Sequence, residues 1–263
     1  MSAHGSDAPR GVGAGTPNIA RMYDYWLGGK DNFAADRESA EEIVRISDGR
    51  VLRGVRLNRS FLGRAVRTAA AAGVRQFLDL GSGLPTRENV HQVAGPDARV
   101  IYVDSDPVVA SHARAILVRS DNVEFVEGDL RHPREILGHP AVRRLIDFDE
   151  PVALMFVSVL HFVDDSEDPR GILAAYRDAV APGSHLILSH LSKDAFPQKM
   201  AAAERVYEGA NTRLGARTRE EILGLFEGFE VLDPGLVGPA EWRPQGPWST
   251  ERFAGLVGVG LKR

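Results

Sequence analysis

The stretch Gln76-Phe77-Leu78-Asp79-Leu80-Gly81-Ser82-Gly83-Leu84-Pro85-Thr86 decides the fold. Five residues with the pattern of a buried strand run into two glycines, and a helical pattern follows. About twenty residues on, a second apolar run at residues 100–103 ends in Asp104. Strand, glycine turn, helix, strand and terminal acid make the βαβ unit that holds an adenosine-containing cofactor. The glycines allow close backbone approach because no Cβ stands in the way. A carboxylate at the end of the second strand is placed to accept hydrogen bonds from both ribose hydroxyls. A dinucleotide fingerprint would carry a further glycine where this chain has Thr86. Its absence, and the acid at Asp79, disfavour NAD or FAD, because a cofactor without a pyrophosphate needs no such tight helix approach.

The rest of the chain extends this unit. Short apolar runs at 76–80, 100–103, 123–126, 152–157 and 186–188 alternate with helical patterns at 86–93, 107–118, 133–137 and 169–180. Continuous apolar strands separated by helices indicate a parallel sheet covered on both faces. Helical segments at 195–210 and 218–226 follow, and residues 229–232 and 253–261 read as a closing, hairpin-like pair at one edge. Before the first strand, Ile19, Met22, Tyr23, Trp26 and Leu27 keep helical spacing up to Gly28-Gly29. Two more helices are expected at 33–46 and 51–72, broken at Asp48-Gly49. The expected organisation is a flexible Gly/Ala/Ser-rich tail (1–15), an N-terminal helical lid or cover (16–72) and a cofactor-binding core (73–263).

Composition narrows the function. The 263 residues are 43% hydrophobic and 26% charged, ordinary for a globular protein. The net charge of -4 argues against a nucleic-acid partner. Cysteine is absent, which excludes disulfides, thiolate metal sites and cysteine nucleophiles. No apolar run reaches the ~20 residues of a membrane helix, and the first fifteen residues lack the apolar core of a signal peptide, so a cytoplasmic protein is expected. No His/Asp/Glu spacing suggests a metal.

Three motifs in order carry a family resemblance. Asp79-Leu80-Gly81-Ser82-Gly83 resembles the first motif of class I S-adenosylmethionine-dependent methyltransferases, Val103-Asp104-Ser105-Asp106-Pro107 their second-strand acid, and Val126-Glu127-Gly128-Asp129-Leu130 their third-strand segment. With Ala20-Arg21-Met22-Tyr23-Asp24-Tyr25-Trp26-Leu27-Gly28-Gly29-Lys30-Asp31-Asn32-Phe33 and Leu160-His161-Phe162, nearly the whole chain is similar to an actinobacterial methyltransferase family formerly of unknown function. Pro85 departs from the pattern, since the family motif usually carries a third glycine there. The resemblance implies a Rossmann-like α/β fold with a seven-stranded, mostly parallel sheet. It also implies S-adenosyl-L-methionine as cofactor and methyl transfer to an acceptor that the sequence does not name.

Residue roles follow from that likeness. Gly81, Ser82 and Gly83 would floor the ribose and methionine moieties, Asp104 with Ser105 would hold the ribose, and Asp79 would face the amino end. Asp129 would accept from the adenine amine beside the Leu130 backbone N–H, while Asp106 reads as a helix N-cap before Pro107. Ser158, His161 and His190 stand at the exits of the fourth and fifth strands, where a doubly wound sheet binds ligands. Each histidine serves either as a general base or only as packing. Tyr23 and Asn32 belong to a candidate lid hinged at Gly28-Gly29, or to a helix that only packs on the sheet. Arg53, Arg56, Arg64 and Arg67 read as a solvated helix face, and the loop from Trp242 to Trp248 either borders the acceptor pocket or crosses a sheet edge. The acceptor is expected to be a small molecule. A nucleic-acid base is disfavoured by the lack of an Asn/Asp-Pro-Pro-Tyr pattern after the fourth strand. The alternatives are a protein that binds the cofactor without catalysis and a nicotinamide-dependent oxidoreductase.

Overall fold

A computed structural model describes residues 13–85, 88–116, 121–246 and 252–263. Thr86, most of the tail, residues 117 and 118 at the end of the expected 107–118 helix, and Pro247 and Trp248 lie outside the described residues. Three helices come first: α1 (Ile19–Trp26), α2 (Ala34–Ile46) and α3 (Arg50–Ala71). The sheet then builds from β1 (Gln76–Leu80), β2 (Arg99–Asp104), β3 (Val123–Glu127), β4 (Val152–Val157), β5 (His185–Leu191), β6 (Glu230–Val231) and β7 (Gly255–Leu261). Between and after the strands lie α4 (Val90–Ala94), α5 (Pro107–Ile116), α6 (Pro133–Gly138), α7 (Pro140–Leu145), α8 (Pro169–Ala179), α9 (Pro197–Tyr207) and α10 (Arg219–Gly224).

The described strands form one seven-stranded sheet in the order β3-β2-β1-β4-β5-β7-β6. The first five are parallel, and β7 runs antiparallel between β5 and β6. The expected Rossmann-like α/β fold and its closing edge pair are therefore present. Because β1 connects to β2 on one side and abuts β4 on the other, the order reverses between β1 and β4. Ligands of doubly wound sheets bind in the crevice that this reversal opens.

Alternation along each strand sorts side chains to two faces. Leu78, Leu80, Ile101, Leu154, Phe156 and Leu188 pack against α6, α7, α8 and α10 through Ile136, Val142, Tyr176 and Ile222. Phe77, Val100, Met155, Ile187 and Val259 pack against α3, α4 and α5 through Phe61, Ala65, Val66, Val90 and Val109. The N-terminal half of α3 leaves that core. There Val55 joins Met22 and Trp26 of α1, Ala40 and Ile43 of α2, and Met200 and Tyr207 of α9 in a third cluster above the strand ends.

One expected helix differs. The segment after the glycine turn becomes helical only at Val90, where Asn89 and Gln92 form a capping box. Glu88 just before it has φ 58°, a left-handed conformation that cannot continue a helix. The expected 133–137 helix is present as α6, and a further helix not expected from the sequence, α7, follows it from Pro140, which has no backbone N–H to continue the α6 ladder.

Asp36 fastens the N-terminal helices. Its carboxylate, fully buried, accepts from Asn18 N at 2.8 Å, Arg21 Nε at 2.7 Å and Phe33 N at 2.7 Å. Removing it would strand a buried guanidinium. Asp36→Ala is expected to lower unfolding stability by about 3 kcal/mol; a urea midpoint unchanged from the natural chain would show that Arg21 finds water instead.

Candidate functional site

Val103, at the end of β2, sets the turn after β1. Its carbonyl accepts from both Gly81 N at 2.8 Å and Ser82 N at 3.0 Å. Gly81 has φ 75°, and a Cβ there would collide with Val159, so conformation and space both require glycine. A Cβ at Gly83 would meet nothing within 4 Å, so the turn presents open backbone on that side. Asp104 closes the motif: Oδ2 accepts from Gly83 N at 2.8 Å and Oδ1 from Asp106 N at 3.0 Å. Asp106 caps α5 as expected, accepting from Val108 N at 2.7 Å. Its other oxygen accepts from Asn18 at the start of α1, which ties the N-terminal helices to the exit of β2.

These residues line a cavity of about 430 Å³ that continues under α1, α2, α3 and α9. The expected residues Tyr23, Asp79, Gly81, Ser82, Gly83, Asp104, Ser105, Asp129, Leu130, Ser158, His161 and His190 all line it. Asn32 does not. Its amide donates to Asp24 Oδ2 at 3.2 Å and to Gly29 O, and Asp24 is the residue that reaches the cavity. Gly29 is required there, since a Cβ would overlap the Asp24 carboxylate.

Burial raises the pKa of two carboxylates in the cavity. Burial pushes Asp79 up to about 7, with the neighbouring Asp104 adding to the rise and Arg59 opposing it. Burial likewise pushes Asp104 up to about 6, although backbone donors from Asp106 and Gly83 favour the charged form. Beside them the Ser82 hydroxyl is buried without a hydrogen-bond partner. Asp129 differs: both its oxygens are held by Arg131, the shortest contact 2.6 Å, and Arg131 also reaches Glu167 at 2.6 Å. Its carboxylate is thus already engaged, so an adenine amine would have to share it.

The exits of β4 and β5 are joined by polar bonds. Ser158, at φ 57°, donates its N–H to Ser189 Oγ at 2.9 Å. Asn58 on α3 donates to Ser158 Oγ at 2.9 Å and to the Tyr23 hydroxyl at 3.1 Å. Tyr23 is fully engaged, for its hydroxyl also donates to Val55 O. Nothing in the sequence singled out Asn58, whose partners Tyr23 and Ser158 lie far along the chain.

The two histidines divide. His190 Nδ1 lies 2.7 Å from Leu191 O and Nε2 2.7 Å from Arg217 Nη1. Nδ1 therefore carries the proton, Nε2 accepts from the guanidinium, and burial with that cation lowers the imidazole to about 4. With both nitrogens taken, His190 is corrected from candidate base to anchor. Arg217 also donates to Leu160 O and Val163 O, both at 2.8 Å, and pairs with Asp165 at 2.7 Å. His161 keeps a free atom. Its Nδ1 is buried with no partner, and burial, His190 and Arg217 hold its pKa well below the ordinary value of 6.5.

One other expectation changes. Arg64 is buried, donating to Trp242 O at 2.8 Å and Pro239 O at 2.6 Å, so it is not part of a solvated arginine face. Of the two alternatives for the loop that starts at Trp242, bordering the pocket is not met by Trp242 itself, which is fully buried against Phe61, ring centroids 5.3 Å apart, and does not line the cavity. Among the described residues no cluster of acids and histidines could hold a metal ion, and no helix is long and apolar enough to cross a membrane.

The sequence model of the family described as S-adenosyl methyltransferase matches residues 6–263, and the chain belongs to that family. A crystal structure of a candidate methyltransferase from Thermobifida fusca YX is 42% identical, with a TM-score of 0.91 over 98% of this chain and 100% of that one. A DUF574 family protein from Streptomyces avermitilis MA-4680 is 34% identical, with a TM-score of 0.89 over 94% and 98% of the two chains. An O-methyltransferase family protein from Burkholderia thailandensis, 18% identical with a TM-score of 0.54 over 87% of this chain and 60% of that one, shares the fold. No curated protein matches the chain. The chain is an S-adenosyl-L-methionine-dependent methyltransferase of Rossmann-like class I fold.

The raised Asp79 pKa has a consequence for stability. Between its ordinary 3.8 and about 7 the folded chain binds more proton at this site than the unfolded chain does. The contribution is therefore complete below pH 3.8 and is lost as pH rises through 7. Asp79→Asn, which carries no charge at any pH, should gain about 4 kcal/mol over the natural chain at pH 8 without cofactor, with the gain shrinking toward pH 5. Thermal melts across that range would decide, and an offset that does not vary with pH would contradict the assignment.

Proposed function

We propose, with membership of the S-adenosyl methyltransferase family as premise, that the methyl group goes to a small molecule bound in the covered part of the cavity. The observation that carries this is the continuity of one space from the glycine turn to the apolar pocket under the N-terminal helices. The glycine turn and Asp104 line one part of it, and Trp26, Ile43, Val51, Met200, Tyr207 and Leu214 line the rest. Such a chamber suits an acceptor that can be enclosed. A nucleic acid would instead call for a basic groove with open ends.

The residues fit the cofactor chemically. Asp79 and Asp104 are buried carboxylates that favour a cationic or donor-rich ligand, and the pyrophosphate of a dinucleotide would face both. The unpartnered Ser82 hydroxyl and the open side of Gly83 add a polar, uncrowded floor. On this reading Asp104 with Ser105 accepts from the ribose hydroxyls, Asp79 faces the amino end, and Asp129 and Leu130 flank the adenine. When bound, S-adenosyl-L-methionine supplies an electrophilic methyl on a sulfonium, so alignment and exclusion of water are the protein's main contributions. Tyr23 and Ser158, joined through Asn58, fix the wall between the cofactor cradle and the chamber. The α1–α3 segment acts as the cover that excludes water. His161 Nδ1 is the atom that receives the acceptor's proton.

Labelled S-adenosyl-L-methionine incubated with a cell extract divided by ultrafiltration tests the acceptor class. Label is expected in a low-molecular-weight product that separates chromatographically from unreacted S-adenosyl-L-methionine and is absent without the enzyme; transferred label recovered only with nucleic acid or protein would overturn the proposal. With the labelled acceptor in hand, His161→Asn should lower kcat by about 100-fold while cofactor affinity holds. Because its pKa is held below 6.5, His161 stays neutral, and the natural enzyme's kcat should be flat from about pH 6 to 8. A rise in kcat centred near pH 7 would assign the proton to another group.

A further inference from the structure

Charge in the cavity is unevenly spread, with Arg59 and Arg131 standing among its carboxylates, Arg59 near Asp79 and Arg131 held by Asp129. The carboxylates Asp79, Asp104, Asp106 and Asp129 stand at the exits of β1, β2 and β3, and Asp24 faces the same side through Asp31, 3.7 Å from His112 of α5. Two lining cations stand elsewhere: Arg50 at the start of α3 and Lys199 in the first turn of α9. Both pair with Asp48, Arg50 at 2.8 Å, and Arg50 also lies over the Phe196 ring, 5.3 Å from its centroid. Asp48 itself is exposed and does not line the cavity. At this end the lining charges are the two cations, and the carboxylate that pairs with both, Asp48, stands outside the lining, so a ligand anion competes with Asp48 for them.

Helix α3 gives the scale. Arg50, Gly54 and Asn58 recur every four residues on the face that lines the cavity, and Asn58 is bonded to Ser158 at the exit of β4. Eight residues of helix rise about 12 Å. The wall between Arg50 and Asn58 is apolar, formed by Val51, Val55, Ile43 and Met200. Both amide hydrogens of Asn58 are committed, to Tyr23 and Ser158, so its Oδ1 is the atom left to accept from a ligand hydroxyl or amine.

We infer that the acceptor is an amphipathic acid. Its anionic group, a carboxylate or its equivalent, pairs with Arg50 and Lys199; its apolar body spans about 10 Å along α3; and its hydroxyl or amine meets Asn58 beside the cofactor. This rests on the function proposed above and adds the chemistry of the substrate to it. The acids at one end, with Arg59 and Arg131 among them, face the cofactor, and the two cations at the other, shared with Asp48, meet the negative charge of the acceptor. A planar guanidinium stacked on an aromatic ring is well placed to bind a carboxylate in two-point fashion.

The test uses a matched probe set, 4-phenylbutyrate, 4-phenylbutyramide and 4-phenylbutylamine, titrated calorimetrically into the full chain saturated with S-adenosylhomocysteine. The acid is expected to bind at least tenfold tighter than the amide, and the amine weakest. Lys199→Gln and Arg50→Gln should each bring the acid close to the affinity of the amide while S-adenosylhomocysteine binding is unchanged. Asp48→Asn separates this role from a latch between helices. A latch would make Asp48→Asn behave like Lys199→Gln, whereas a binding role makes Asp48→Asn hold the acid as tightly as the natural chain or tighter. Equal binding of acid and amide, a preference for the amine, or loss of acid binding in Asp48→Asn would overturn the inference. Failure of S-adenosylhomocysteine to bind at the outset would instead count against the cofactor placement itself.

Discussion

Everything about this site depends on a carboxylate that backbone geometry holds in place. Asp104 accepts from Gly83 N on one side and from Asp106 N on the other, so its two oxygens are aimed before any ligand arrives. The Val103 carbonyl, one residue earlier, receives two N–H groups from the same turn. Strand β2 therefore dictates the shape of the β1 turn, and neither can move without the other. Only a glycine fits at position 81, because Val159 from the β4 exit fills the space a side chain would need. Three adjacent strand ends are thus interlocked at the point where the sheet order reverses, the point at which this fold binds its ligands.

The covering helices are coupled to the same point. Asn18 caps α1 by accepting from Arg21 N, and its amide reaches Asp106, the residue that caps α5. Asp36 holds Asn18, Arg21 and Phe33 together, so a disturbance in the α1–α2 connection passes to the β2 exit through two side chains. On the other flank, Arg217 binds carbonyls at Leu160 and Val163 and the His190 ring at once. That single guanidinium fixes the loop after β4 against the end of β5. Its charge, together with burial, also keeps both neighbouring imidazoles neutral. Position and protonation state of His161 thus share one cause.

What the sequence disclosed follows from the physics of its pattern. Parallel strands are buried on both faces and read as continuous apolar runs, which is why β1 to β4 were legible to within a residue at each end, while β5 was read only over 186–188 because its polar Ser189 and His190 break the apolar run. The glycine turn and Asp104 were legible because close backbone approach and a strand-end acid leave few other residue types possible. Asn58, Arg64 and Arg217 were not. Each works through partners far along the chain, Asn58 at Ser158 and Arg64 at Trp242, and helical spacing alone makes a polar residue on α3 look solvated. The late start of α4 was hidden for a local reason: the residue types after the turn permit a helix, and only the left-handed Glu88 shows that the chain has not yet begun one. His190 illustrates the remaining gap. Its place at a strand exit was readable, but the guanidinium that occupies its ring nitrogen comes from a loop 27 residues away.

The cradle concentrates features that cost free energy in the empty chain. Asp79 and Asp104 are carboxylates whose charged forms burial disfavours, the Ser82 hydroxyl has no partner, and Ser158 holds a left-handed backbone that a serine rarely adopts. Elsewhere the described core is apolar on both faces of the sheet, which is why the fold can carry such a site. A ligand that donates hydrogen bonds and brings positive charge relieves the first two of these features together. By linkage, whatever free energy it releases there appears as added stability of the folded, covered state. The anchoring of α1 at Asp106 places the cover where that added stability is felt, so a filled cradle and a closed cover favour each other without any separate switch.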